Sequence, residues 1–359
     1  MPLRDQNMII FRADGNAKLG TGHVMRCLSI ADALSEKKIE SVFICSDHEM
    51  DGIISERGYR SVVLDTDYTK PEDETDKLMN LPEFRDATGM VVDSYFVTPK
   101  YFITIGDKIK TVYIDDYFSP MPVTGIINYN IYADKSGYEN MRNDWGATAS
   151  CGYSQAAPEL ILGPEYAPLR REFRDTPPIR IKEKAKKVLI LSGGSDPAHV
   201  APALAREAAE RGDESMEYHF VLGTLTDSAK QLKEYETKCP GIITHIGVKD
   251  MQALMCDCDI ALTAAGSTMY ELCACGVPSV NFSVADNQRL GAKAFSKKNI
   301  MLSLGMVNDT KEFAKEALDK VSELAENPLK RKEMSATAKL LVDGWGAGRI
   351  AGKLEEIFS

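Results

Sequence analysis

The strongest constraint on this sequence is an alternation that runs, breaks and restarts. Short apolar runs of strand length alternate with stretches of helical period, first from Met8 to about Ile114 and again from about Val188 onward. In the first series the strand-like runs are Met8 to Ala13, Ser41 to Cys45, Ser61 to Leu64, Gly89 to Val92 and Lys110 to Ile114. A helical stretch, Val24 to Lys37, places Val24, Cys27, Leu28, Ala31 and Leu34 on one apolar face. In the second series the strand-like runs are Val188 to Leu191, Tyr218 to Leu222, Ile242 to Ile246, Ile260 to Thr263, Pro278 to Asn281 and Ile300 to Ser303. Helical stretches such as Val200 to Arg211 and Ser267 to Cys275 separate them. Strand and helix in strict turn predict parallel, doubly wound sheets, because a parallel neighbour needs a crossover and the crossover is a helix.

Between the two series, from about Asn128 to Leu160, the pattern dissolves into Tyr, Asn, Asp and Gly without a period, and it reads as an irregular cover. The prolines from Gly163 to Pro168 and at Thr176-Pro177-Pro178 mark turns, and a basic stretch, Arg180 to Lys187, leads to the next strand. The expected organisation is a first domain over 1–165, a linker over 166–186 and a second domain over 187–359. The last helix, carrying Ile350, Leu354 and Ile357, has the option of packing back on the first domain. Ligands of such sheets bind at the carboxyl ends of the strands, which here predicts a cleft between the halves.

Composition narrows the function classes. The chain has 359 residues, 44% hydrophobic, with a formal net charge of -10. A share of apolar residues this ordinary excludes a disordered chain, and the acidic balance argues against a nucleic-acid partner. Two basic runs, Arg180 to Lys187 and Lys330 to Lys332, read as solvated linker and helix face. No run of 18 apolar residues exists, so no membrane span is expected, and the opening residues are too short and polar for a signal peptide. The eight cysteines fall in strand-like and helical stretches and read as free thiols of a cytoplasmic protein. Their C-x-C spacings lack zinc-site partners, and neither metal nor cofactor is expected. A monomer is the favoured state.

Three glycine-rich turns carry the chemistry. The first links the first strand to the first helix through Asp14, Gly20, Thr21, Gly22 and His23. Gly20 and Gly22 allow close backbone approach and leave helix N–H groups free to face an anion, although the spacing matches neither a P-loop nor G-x-G-x-x-G. His23 sits at the positive end of the helix dipole, which disfavours an imidazolium and suits a general base, or it merely packs at the turn. The remaining histidines are weaker candidates: His48 in a charged loop, His199 at a helix start, His219 and His245 inside strands. The second turn, Ser192-Gly193-Gly194-Ser195-Asp196-Pro197, either holds a phosphate on its amides or is a plain strand-to-helix turn. The third, Gly266-Ser267-Thr268 with Glu271 one turn on, either binds a diphosphate and a ribose diol or forms a helix cap. Asn287 and Gln288 either touch a sugar or cap a helix. Asp257-Cys258-Asp259 is a D-x-D string, but a helix-to-strand junction argues against metal binding, and Asp115-Asp116 reads as structural.

The run Arg12-Ala13-Asp14 followed by Gly20-Thr21-Gly22-His23-Val24-Met25-Arg26-Cys27 resembles the opening signature of the UDP-2,4-diacetamido-2,4,6-trideoxy-β-L-altropyranose hydrolases of pseudaminic acid biosynthesis. Leu162 to Arg170, Ser192 to Pro197, Ala265 to Glu271 and Asp286-Asn287-Gln288 are similar to the family's later motifs. The Gly-Ser-Thr…Glu motif is shared with the wider MurG-like GT-B superfamily. The resemblance implies a GT-B fold, two Rossmann-like α/β domains with parallel sheets facing a central cleft. It implies metal-independent, inverting hydrolysis that releases UDP and the free sugar. His23 would be the base, with Tyr95 and Asp14 beside it as catalytic candidates. Substrate binding would fall to Gly20, Thr21, Gly22, Arg26, Gly193, Gly194, Ser195, Gly266, Ser267, Thr268, Glu271, Asn287 and Gln288. The alternative is a GT-B glycosyltransferase that uses a UDP-sugar donor in surface or spore-coat polysaccharide synthesis.

Overall fold

The computed structural model describes residues 7–16, 18–119, 121–140, 157–193, 196, 198–223 and 228–359. The chain divides into two compact units, Met1–Arg171 with Trp345–Ser359, and Glu172–Gly344. Each is built on one parallel sheet.

The first unit's seven strands are β1 (Met8–Ala13), β2 (Glu40–Cys45), β3 (Arg60–Val63), β4 (Gly89–Asp93), β5 (Lys110–Ile114), β6 (Gly125–Asn128) and β7 (Glu159–Leu162). Their spatial order is β3-β2-β1-β4-β5-β6-β7. Strands β1 and β4 are buried along their whole length, as expected where both faces of a parallel sheet are covered. One face packs Ile10, Ile44, Met90 and Val92 against Tyr101 and Phe102. Helix α1 (Gly22–Glu36), which follows β1, packs with the closing helix Gly346–Phe358. Strands β6 and β7 lie at and around the stretch read from sequence as irregular, and they extend the sheet in register, Gly125 opposite Glu159. Four-residue strands are too short to show a period, and most of the residues between them, 141–156, lie outside the described residues.

The closing helix belongs to the first unit rather than to the span 187–359. A strand glycine makes room for it: a Cβ on Gly89 would lie 2.3 Å from the Phe358 ring. Lys37 and Glu355 pair at 2.6 Å on the outer surface. Residues 172–186 are packed rather than free linker, with Phe173 and Ala185 buried.

The second unit's six strands are β8 (Lys187–Leu191), β9 (Glu217–Leu222), β10 (Ile242–Ile246), β11 (Ile260–Ala264), β12 (Ser279–Ser283) and β13 (Met301–Met306), in the order β10-β9-β8-β11-β12-β13. One face packs Val188, Ile190, Leu262 and Phe282 against the helices Val200–Arg211 and Phe313–Ala325. The basic run near 330 is not a solvated face throughout. Arg331 is fully buried, and its guanidinium donates to the carbonyls of Leu324 and Ala325 at a helix end and to those of Lys182 and Glu183. Four carbonyls recover the solvation that the cation loses. The D-x-D carboxylates are likewise engaged: Asp257 pairs with Lys187, while Asp259 pairs with Lys182 and accepts from the N–H groups of Lys186 and Lys187.

Candidate functional site

In each sheet the strand order reverses once, between β1 and β4 in the first and between β8 and β11 in the second. Open α/β sheets bind ligands at such reversals, outside the carboxyl ends of the strands. The candidate residues fall at these two points, except Asn287 and Gln288, which follow the neighbouring strand β12.

In the first unit the turn after β1 is closed by Asn16. Its carbonyl accepts from Gly20 N–H at 2.8 Å, and its side chain accepts from the N–H groups of Lys18 and Leu19 at 2.9 Å each. Gly20 takes φ +74°, a conformation that favours glycine. The chain then enters α1, and His23 lies buried in its first turn. Asp93, the last residue of β4, reaches His23 Nδ1 at 2.6 Å and receives Arg26 Nε and Nη2 at 2.6 and 2.5 Å. Arg26 also donates to Tyr129 at 2.9 Å and to Asp116 at 3.1 and 3.2 Å. Asp116 accepts from the Tyr95 hydroxyl at 3.0 Å, and the Tyr95 ring meets the His23 ring edge-on at 4.5 Å.

This network sets the tautomer of His23. Arg26 Nη2 is 3.3 Å from Nδ1, while the carboxylate is 2.6 Å away. The shorter contact decides: Nδ1–H donates to Asp93, and the lone pair is left on Nε2. Burial alone would push the Asp93 carboxyl up, but Arg26 and His23 outweigh it and hold it well below the usual carboxylate range. Burial would likewise lower Arg26, and Asp116 and Asp93 outweigh it. Desolvation of its hydroxyl and the neighbouring Asp116 raise the Tyr95 phenol, so it remains a protonated donor at neutral pH. Burial pushes the Tyr129 phenol up to about 12.

Asp14 belongs to a different cluster. Its carboxylate accepts from Arg12 at 2.6 Å and from the Ser46 N–H at 2.7 Å, and Arg12 forms a two-pronged pair with Glu74. All four residues are buried, and they tie the ends of β1 and β2 to the segment at Glu74. Asp115, also fully buried, accepts from the N–H groups of Tyr117 and Ser119 and from the Tyr138 hydroxyl. Sequence reasoning missed Asp93, whose signal was a lone carboxylate ending an apolar strand just before Ser94-Tyr95. It also placed Arg26 toward substrate, whereas the guanidinium is turned to Asp93, Asp116 and Tyr129.

In the second unit Gly193 follows β8, and Gly194 and Ser195 lie outside the described residues. Asp196 accepts from the N–H groups of Val200 and Ala201 and from the Ser228 hydroxyl, so it caps the helix Val200–Arg211. After β11, Gly266 and Ser267 lead into the helix Thr268–Cys275, with Glu271 half-buried in its first turn. Ser267 stands at the cap position and is exposed, yet its hydroxyl makes no cap hydrogen bond, contrary to the helix-cap reading. Asn287 is exposed at the start of the helix Asp286–Lys297, and Gln288 accepts from the Val284 N–H at 2.9 Å, which closes that turn. Among the described residues, the hydroxyls of Ser192 and Ser283 and both amide atoms of Asn281 are buried without a hydrogen-bond partner.

No family model matches the sequence. Among curated proteins, the chain is 22% identical to the spore coat polysaccharide biosynthesis protein SpsG of Bacillus subtilis, over 96% of this chain and 97% of that one. It is 23% identical to the UDP-2,4-diacetamido-2,4,6-trideoxy-beta-L-altropyranose hydrolase of Campylobacter jejuni, over 73% of this chain and 86% of that one. A protein of Helicobacter pylori, named as both pseudaminic acid cytidylyltransferase and the same hydrolase, is 25% identical over 70% of this chain, which spans 45% of its length. Among solved structures, MurG of Acinetobacter baumannii superposes with a TM-score of 0.65 at 14% identity, covering 98% of this chain and 99% of that one. The fold is therefore GT-B: two Rossmann-like halves, each on a parallel sheet. Among the described residues no helix is long and apolar enough to cross a membrane.

Proposed function

We propose that this chain is a UDP-sugar hydrolase that uses water, without a metal, to cleave UDP from a UDP-2,4-diacetamido-2,4,6-trideoxyhexose and release the free sugar for nonulosonic (pseudaminic) acid synthesis. One observation carries the reading: Asp93 holds His23 by Nδ1 and leaves Nε2 as a proton acceptor. The names of the Campylobacter and Helicobacter relatives support the substrate class.

In this mechanism His23 Nε2 takes a proton from water as its oxygen attacks the anomeric carbon. The bond from that carbon to the diphosphate oxygen breaks, and configuration inverts. Asp93 stabilises the imidazolium formed and keeps the ring in one orientation. UDP is already a good leaving group, so a positioned base and anion stabilisation suffice. The turns at Gly193 and at Gly266-Ser267-Thr268 supply N–H and hydroxyl donors to the diphosphate, and Glu271 accepts from the ribose diol. Tyr95, as a protonated phenol, donates to a sugar substituent, and Asn287 offers an exposed amide to the N-acetyl groups.

The test is proton NMR of the purified chain with UDP-2,4-diacetamido-2,4,6-trideoxy-β-L-altropyranose and a chelator, with no acceptor present. UDP and free sugar should appear together, and His23→Ala should lower kcat by about 10²–10⁴-fold. Turnover undiminished in His23→Ala refutes the assignment of the base. A second reading, a glycosyltransferase in polysaccharide synthesis, draws on the near full-length similarity to SpsG, and turnover that depends on an added acceptor would favour it.

A further inference from the structure

Just beyond the carboxyl ends of the paired strands β4 and β5, two tyrosines stand side by side in the open. Tyr95 and Tyr117 are 42% and 51% exposed, and among the described residues no other tyrosine or phenylalanine is exposed. Their rings meet edge-on with centroids 5.6 Å apart, and the Tyr95 ring meets His23 in the same way at 4.5 Å. Three rings thus run outward from the buried imidazole to the surface.

The loop that carries Tyr117 is anchored on both sides of it. The Asp115 carboxylate accepts from the N–H groups of Tyr117 and Ser119 at 3.0 and 2.7 Å and from the Tyr138 hydroxyl at 2.6 Å. The Asp116 carbonyl accepts from the Tyr132 hydroxyl at 2.8 Å, and its carboxylate takes Arg26 and the Tyr95 hydroxyl. Phe118 takes φ +58°, a conformation costly for a bulky side chain, and its ring packs against Tyr138 and Tyr132 with centroids 5.1 and 6.0 Å away. A Cβ on Gly137 would lie 2.3 Å from that ring. Four residues of this loop are spent on holding it, and the ring of Tyr117 is left facing outward beside Tyr95.

We propose that the Tyr95 and Tyr117 rings form an apolar subsite for the methyl-bearing substituents of the sugar, with Tyr117 as the residue that selects for them. The inference deepens the hydrolase reading, from which it takes the sugar. With the anomeric carbon at His23, the substituents of the sugar fall within reach of the two tyrosines. A 2,4-diacetamido-2,4,6-trideoxyhexose carries a methyl at C6 and acetyl methyls at C2 and C4, where an ordinary hexose carries hydroxyls. Methyl groups gain by leaving water for an apolar surface, and a tyrosine offers a broad rigid one at small entropic cost. A hydroxyl pressed on the same ring would lose its water and gain no partner.

The experiment compares hydrolysis of UDP-2,4-diacetamido-2,4,6-trideoxy-β-L-altropyranose by the full chain and by its Tyr117→Ala and Tyr117→Phe variants. Tyr117→Ala should raise KM about tenfold, with kcat and melting temperature close to the parent. Tyr117→Phe should keep the parent KM, because the ring and not the hydroxyl makes the contact. Saturation-transfer NMR reads the same contact without turnover, with the sugar nucleotide added to His23→Ala and to His23→Ala/Tyr117→Ala. The methyl signals should be strong in the first and fall severalfold in the second, while uracil and ribose signals persist. Whether the C6 methyl or the acetyl methyls fall tells which substituent lies on Tyr117, and either supports the subsite. An unchanged KM in Tyr117→Ala, methyl signals indifferent to Tyr117, or a loss confined to kcat and melting temperature would overturn the subsite, even where hydrolysis itself is observed. A parent chain that binds the sugar nucleotide without hydrolysing it overturns the hydrolase reading alone, and the methyl signals then decide the subsite.

Discussion

The two sheets run through the same strand order, with a seventh strand added at the edge of the first, and they differ in the charge gathered where that order reverses. In the first, four charged or chargeable side chains are locked into one network, His23, Arg26 and Asp93 buried and Asp116 half-buried. In the second, the strand ends at the reversal lead into Ser192-Gly193 and Gly266-Ser267-Thr268, with Asp196 spent on a helix cap and Glu271 in the first turn of the next helix. The first arrangement fixes the orientation of a proton acceptor. The second leaves the Ser267 hydroxyl outside the helix cap, which suits a large anionic ligand. The lesson is that one topology places a crevice twice, and the residues at its edge divide the chemistry between them.

That division can be broken at Asp93 first. Asp93→Asn leaves Arg26 underpaired and replaces one carboxylate oxygen by an N–H donor, so that His23 and Arg26 compete for one acceptor and the His23 tautomer is no longer fixed. The variant should lose about 3–5 kcal/mol of stability, read by denaturant unfolding. Its kcat should fall by about 10⁴-fold while KM for the UDP-sugar changes little. Because Asp93 acts through His23, the pH profile of the residual activity should change shape, an effect that mere loosening of the fold would not produce. Retained activity would show that the two halves are not specialised in this way.

Acid should expose the same network. The folded Asp93 carboxyl is held well below its unfolded value of about 3.9, so its contribution is complete above about pH 4 and drains away as pH falls further toward the folded value. Thermal unfolding followed from pH 6 to pH 2 should show that decline, flattened in Asp93→Asn.

On the other side of the comparison, Glu271→Gln should raise KM by about tenfold, near 1.4 kcal/mol, with kcat and melting temperature close to the parent. A fall in kcat alone would move Glu271 out of the binding role. The smallest effect is expected at Asn281. Its buried amide has no partner among the described residues, so Asn281→Leu, with the same number and branching of side-chain heavy atoms, should be neutral or stabilising by about 1 kcal/mol in denaturant unfolding. Marked destabilisation would mean that the amide is satisfied in solution.

The sequence made the alternation legible because parallel strands buried on both faces are continuous apolar runs. Several edges, Met8–Ala13, Lys110–Ile114 and Val200–Arg211 among them, coincide with the expected bounds. What it withheld was partnership. Periodicity in the last helix shows that Ile350, Leu354 and Ile357 share an apolar face but not which sheet that face covers. The counterpart signal, Gly89 at the foot of a strand, has meaning only once Phe358 is seen against it. His23 could be singled out from its turn, whereas Asp93 is 70 residues away and is joined to it only by the pairing of β1 with β4. Arg331 was misread because a charge count cannot reveal two carbonyls at a helix end and two more on the segment before β8.

The return of the closing helix to the first sheet also governs the order in which the molecule can be completed. The second unit is one uninterrupted stretch, Glu172–Gly344, and has all its strands as soon as that stretch leaves the ribosome. The first unit, although synthesised earlier, waits for the final fifteen residues, Trp345–Ser359, before α1 and Gly89 receive their cover. A nascent or nicked chain ending at Gly344 therefore exposes apolar surface on the half made first, and the half that a chaperone or protease meets unfinished is the one that carries His23.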